Sequence, residues 1–112
     1  MKLLKSTSIS FFLLCISFAQ FYNVELESTG QSQLIIFQNS ITGLEVGDEI
    51  GVFDSDAIID DSGSSGELLV GAGVWTGEQT EIVAISSVNL SQFGGPILPG
   101  YQDGNSVLVK VY

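Results

Sequence analysis

The chain of 112 residues has no histidine, one cysteine and only three basic residues. Each shortage closes a branch of chemistry. Without an imidazole, neither a Ser-His-Asp triad nor a Cys-His pair can assemble. The one thiol, Cys15, sits in an apolar N-terminal run, so the rest of the chain has neither disulfides nor thiolate ligands. Two of the three cations, Lys2 and Lys5, lie ahead of that run, which leaves Lys110 alone against thirteen carboxylates and a formal charge near −12. Nucleic acid and anionic membrane both require clustered Lys and Arg, so both are excluded as partners. The longest apolar run is also short of the roughly 20 residues that a membrane span needs.

What stands at the N-terminus has a different reading. Lys2 and Lys5 form a positive n-region, Ile9 to Phe18 an apolar h-region, and Ser17-Phe18-Ala19 puts small residues at the −3 and −1 positions of a signal peptidase site. Residues 1–19 are thus expected to be a cleavable secretory signal peptide, with Gln20 opening the mature chain. A buried core helix is the plainer alternative, weakened by the basic flank. A lipoprotein signal would need a small residue before Cys15, where Leu14 stands.

Residues 20–112 form one domain of modest core. Apolar residues make up 45% of the chain and run its whole length, too many for a disordered segment. Their period is two, and no stretch sustains a helical repeat. Strands are expected at Tyr22–Leu26, Gln33–Phe37, Glu49–Phe53, Glu67–Trp75, Thr80–Val88 and Ser106–Tyr112. Thr29-Gly30, Gly47-Asp48 and Asp103-Gly104 are turn signals, and Thr76–Gln79 is a candidate hairpin turn. Six to seven short strands with turns about every ten residues predict an all-β fold, a small antiparallel β-sandwich or related barrel. Two long loops are expected, Asp54–Gly66 and Leu90–Gln102. Tyr112 stops in mid-strand pattern, which fits a chain continuing into further domains or a terminus docked as an edge strand.

The segments GDEIGVFD (Gly47–Asp54), ELLVGAGVWTGE (Glu67–Glu78) and GYQDGNSVLVKVY (Gly100–Tyr112) resemble a β-rich module recurring in secreted multidomain proteins of marine and Bacteroidetes-like bacteria. The resemblance spans about Gly30 onward and consists of turn glycines and strand hydrophobics. It implies an extracellular module, often accompanied by a C-terminal sorting domain for type IX secretion, and it brings no catalytic residues.

Three constellations could carry chemistry. Asp54, Asp56, Asp60 and Asp61, with Asp48 and Glu49 nearby, could offer oxygens to Ca²⁺, which takes six to eight at about 2.3–2.6 Å. The EF-hand pattern is absent, since Ile58 and Ile59 occupy ligand and turn-glycine positions, and a solvated acidic loop is the plainer reading. Trp75 and Tyr101, with Phe93, could stack on sugar rings while Gln79, Gln92 and Gln102 bond hydroxyls; a tryptophan in so small a domain is more often core. Gly71, Gly73 and Gly77 imitate a dinucleotide fingerprint but have the wrong spacing and no following helix, so they read as room for a large neighbour such as Trp75 or Tyr101. Paired carboxylates can hydrolyse glycosides, yet acids are too numerous here for any pair to mean much. The expectation is therefore a non-catalytic extracellular interaction or structural module without a cofactor, with other extracellular domains, protein or polysaccharide as partners and no nucleotide. A carbohydrate-binding module and a Ca²⁺-stabilised adhesin repeat are the alternatives.

Overall fold

The computed structural model describes residues 21–112, so the expected leader, its cleavage site and Cys15 lie outside the described residues. The chain is all-β, with seven strands in three small antiparallel sheets: β1 (Ser32–Phe37), β2 (Glu49–Ile58), β3 (Ser65–Val74), β4 (Thr80–Ile85), β5 (Val88–Asn89), β6 (Ile97–Leu98) and β7 (Val107–Val111). The only helical element among the described residues is a single 3₁₀ turn, Ser91–Phe93. No helix there is long and apolar enough to cross a membrane.

The larger sheet has the order β3-β2-β7. Alternation along β2 sends Ile50, Val52 and Asp54 to the buried face. The ladder with β3 slips twice, between Val52 and Phe53 and between Asp54 and Ala57. The first slip opposes Val52 to Gly71 and Phe53 to Leu69, leaving Val70 as the extra residue, and Val70 is buried in the core. The second slip lets β2 run on to Ile58. The loop expected from Asp54 to Gly66 therefore shrinks to residues 59–64, closed by the Ile59 N–H donating to Ser64 O at 2.9 Å.

The smaller sheet pairs β1 with β4, Ser32 opposite Ile85 through Phe37 opposite Thr80. Thr80, Ile82 and Ala84 alternate into the core, and Glu81 and Val83 face out. Residues 76–79 are thus not a hairpin turn. They carry the chain from one sheet to the other, and β4 packs face to face on β3 instead of bonding to it. Gly71 and Gly73 allow that approach. A Cβ on Gly71 would lie 2.8 Å from Val83 O, and one on Gly73 would lie 2.8 Å from Ile82 Cγ1. The large neighbour for which the glycines make room is Ile82, not Trp75 or Tyr101. Ile50, Val52, Val70, Trp75, Ile82 and Ala84 form the buried cluster between the layers.

Two expected strands differ. Tyr22–Leu26 alternates between half-buried and exposed side chains but joins no ladder. Tyr22 and the preceding Phe21 lie on the outer face of the larger sheet: Tyr22 packs edge-on to Phe53, the Tyr22 N–H donates to Glu49 Oε1 at 2.9 Å, and Phe21 stacks on Tyr112 at 3.8 Å. The period of two here records contact with a pleated surface. The strand expected to reach Val88 ends at Ile85, and the chain turns into the short β5–β6 pair.

Residues 100–101 join the layers. Gly100 exchanges two 3.0 Å hydrogen bonds with Ile58 at the end of β2. The Tyr101 N–H donates to Ile85 O at 2.9 Å, and Tyr101 O accepts from the Ser87 N–H at 2.9 Å, at the end of β4.

Candidate functional site

The four aspartates proposed for Ca²⁺ do not form one site. Asp54 is 3% exposed and its carboxylate is committed to the protein. Oδ1 accepts from the Asp56 N–H at 2.9 Å, while Oδ2 accepts from the Gln102 N–H at 2.8 Å and from Asn105 Nδ2 at 3.0 Å. Gln102 and Asn105 also donate to the Asp56 carbonyl, at 2.9 and 2.7 Å. The carboxylate thereby ties the turn before β7 to the middle of β2. Asp48 closes its own turn by accepting from the Glu45 N–H at 2.8 Å. Asp61 is exposed, and among the described residues no three Asp, Glu, His or Cys side chains are grouped as a metal would need. Of the acidic residues read as a metal loop, Asp54 and Asp60 serve instead as separate acceptors for backbone donors, as Asp48 does in its own turn.

Asp60 shows the same economy. Its Oδ1 accepts from the Ser62 N–H at 3.0 Å, the Ser62 hydroxyl at 2.8 Å and the Ser64 N–H at 3.0 Å. The Ser64 backbone bond, followed by the Ser62 hydroxyl, favours the ionised form and holds this carboxyl below its ordinary value, against a smaller opposing effect of burial. A lowered folded pKa means that the stabilisation is complete above the unfolded-state value and is lost as pH falls through the folded one. Asp60→Asn keeps an acceptor oxygen for the three donors on Oδ1, removes the charge and puts an NH₂ in place of Oδ2. The variant is expected to melt below the parent at neutral pH, with the two melting temperatures converging below about pH 4. Melts through the acid range check this, and a gap that persists unchanged would assign the effect to the amide group rather than the charge.

The sugar platform also dissolves. Trp75 is 3% exposed and belongs to the core, where its ring offers no free face. The Trp75 backbone N–H donates to Asp48 O, and its carbonyl accepts from the Gly47 N–H, both at 2.8 Å, which locks the turn before β2 to the end of β3. Tyr101 is half-buried against the same cluster. Phe93 is exposed on the 3₁₀ turn, and the Gln102 amide is already bonded to Asp56.

The most distinctive surface is one that sequence reasoning did not single out. The register sets Val107, Val109 and Val111 of β7 opposite Asp54, Val52 and Ile50 of β2, so the three valines share the core-facing side of the larger sheet. Their β2 partners are buried, yet the valines are 63%, 49% and 48% exposed. The smaller sheet has two strands against three, so among the described residues no strand covers β7. A groove of about 270 Å³ opens there, lined by Ile35 of β1, Val52 and Asp54 of β2, Tyr101, and Ser106 and Val107 at the start of β7. A sequence signal for it does exist: β1 (SQLIIF) and β7 (VLVKV) are apolar beyond what one buried face requires.

These features define a small two-layer β-sandwich with one open flank. No family model, curated protein or solved structure matches the chain. The likeness to modules of secreted bacterial proteins therefore rests on the quoted motifs alone.

Proposed function

We propose that the chain is a non-catalytic interaction module of an exported protein and that its working surface is the open flank. The observation that carries this reading is the contrast across the β2–β7 ladder, with three valines exposed on a face whose β2 residues are buried. Isolated surface hydrophobics are ordinary, but a contiguous apolar row beside a groove marks a contact site. The lack of histidine and the separate commitments of Asp54 and Asp60 favour binding over chemistry. Export follows from the expected leader at residues 1–19 and agrees with a surface almost without cations.

The test is co-precipitation from the source organism's secreted fraction with the full chain as bait. Val109→Lys is expected to lose the captured partner, while Phe93→Ala, on the exposed 3₁₀ turn and outside the lining of the groove, retains it. Capture that is indifferent to Val109→Lys would overturn the reading. Retention on a polysaccharide column that disappears with Phe93→Ala would do the same, in favour of a sugar-binding surface.

A further inference from the structure

We infer that the open flank takes a β-strand from another protein, bonded along the free edge of β1 and laid over β7, and that this strand alternates aliphatic residues with Lys or Arg. The inference rests on the interaction reading above and specifies its partner.

The architecture leaves room for one strand. β4 covers β3, and β1 continues that sheet and then stops, while the opposite sheet extends one strand further to β7. β1 is terminal in its sheet, so among the described residues the backbone N–H and C=O groups on its outer side have no strand partner. Adjacent strands sit about 4.8 Å apart and packed sheets about 10 Å apart. A third strand beside β1 would therefore lie above β7, with one set of alternate side chains directed at Val107, Val109 and Val111. The groove between Ile35 and Val107 is the near end of that space. Backbone bonds would supply affinity, and the valine row would select small aliphatic residues at every second position, which is the logic of strand addition to an open edge.

Charge selects the rest. The described residues carry thirteen carboxylates and one cation, Lys110. Lys110 is bound to Glu67 at 2.7 Å and sits over the Phe53 ring, on the face of β7 opposite the valines. Among the described residues nothing cationic is thus left to receive an acidic strand, and a second copy of this chain would bring the same negative charge to the contact. Basic side chains on the outward face of the added strand meet that field favourably.

The probe is the peptide acetyl-Lys-Val-Lys-Val-Lys-Val-Lys-amide, titrated into the ¹⁵N-labelled full chain and followed by amide NMR. Saturable binding is expected, with shifts concentrated in residues 32–37 and 107–111, weaker at high salt and at least tenfold weaker with Glu in place of every Lys. N-methylation of either the valines or the lysines blocks one edge of the peptide. One of these two peptides is expected to lose binding and the other to keep it, because all alternate N–H groups of a strand point to the same side. Val109→Lys, at an exposed position that tolerates a long side chain, is expected to weaken binding at least tenfold with an unchanged melting temperature. Absence of saturable binding, equal tolerance of both N-methylated peptides, or a dimer in sedimentation that is broken by Val109→Lys would each overturn strand addition by a partner. If co-precipitation nonetheless remains sensitive to Val109→Lys, the interaction reading stands and only the mode of binding falls.

Discussion

Gly100→Ala is expected to lower the unfolding free energy by about 3 kcal/mol, at the upper end of what overpacking a close contact costs. The reason lies in what the added methyl meets. A Cβ on Gly100 would stand 2.5 Å from the Ser86 carbonyl carbon and from Ser87 N, and 2.7 Å from Ile85 O. All three are backbone atoms, so no rotamer change can relieve the clash. The chain would have to withdraw from the end of β4, breaking the Tyr101 N–H bond to Ile85 O. That retreat separates the two layers at the point where they are joined. Gly104→Ala is the control. Its backbone is left-handed (φ +89°) but a Cβ there meets nothing within 4 Å, so only the conformational penalty of about 1 kcal/mol applies. Urea midpoints at constant slope measure both. Equal losses for the two variants would show that residues 100–101 do not hold the layers together.

Gly100 also illustrates how far the sequence could be read. It stood in a stretch expected to be loop, and no local pattern shows that its neighbours in space are Ile58 and Ser86. The strands themselves were legible because alternation and turn glycines are local: Gln33–Phe37, Glu67–Trp75 and Ser106–Tyr112 fall within a residue or two of β1, β3 and β7. Partnership was not legible. Period-two patterning assigns faces but not neighbours, so Thr76–Gln79 read as a hairpin although β4 pairs with the distant β1. Composition misled at Asp54–Gly66, where charge and serine implied loop. Asp54 stays in a strand because Gln102 and Asn105, 48 and 51 residues away, supply its donors. Trp75 shows the opposite case, since the plainer expectation of a core tryptophan is what the structure contains. The open flank was the hardest to see. The valines of β7 were read as strand residues, but whether a strand face is covered depends on how many strands the other sheet has.

Asp54→Ala is expected to cost about 3 kcal/mol, because it removes the shared acceptor of two backbone N–H groups and the Asn105 amide, and unsatisfied donors cost about 1–3 kcal/mol each. The Asn105 amide keeps its bond to Asp56 O, so the loss falls mainly on the Asp56 and Gln102 N–H groups. Asp54→Asn is the sharper experiment. An asparagine of the same shape offers one oxygen where three donors converge on two. Whichever way the amide turns, its NH₂ faces either the Asp56 N–H or the Gln102 and Asn105 donors. A loss of about 2 kcal/mol is expected in denaturant titration. The sign of this change separates two roles for the residue. In a carboxylate cluster without its cation, neutralising one member relieves repulsion and stabilises the fold. In a carboxylate held by three donors, neutralising it leaves the donors opposed. Destabilisation by Asp54→Asn, unaltered by millimolar Ca²⁺, identifies Asp54 as the tie between β2 and the turn that delivers β7. A gain in stability that Ca²⁺ abolishes would return the residue to the metal-ligand reading. The same tie sets the position of Ser106 and Val107 at the mouth of the groove. Asp54→Asn is therefore also expected to weaken capture of the partner, whereas Asp60→Asn, on the turn between β2 and β3, is expected to leave it intact.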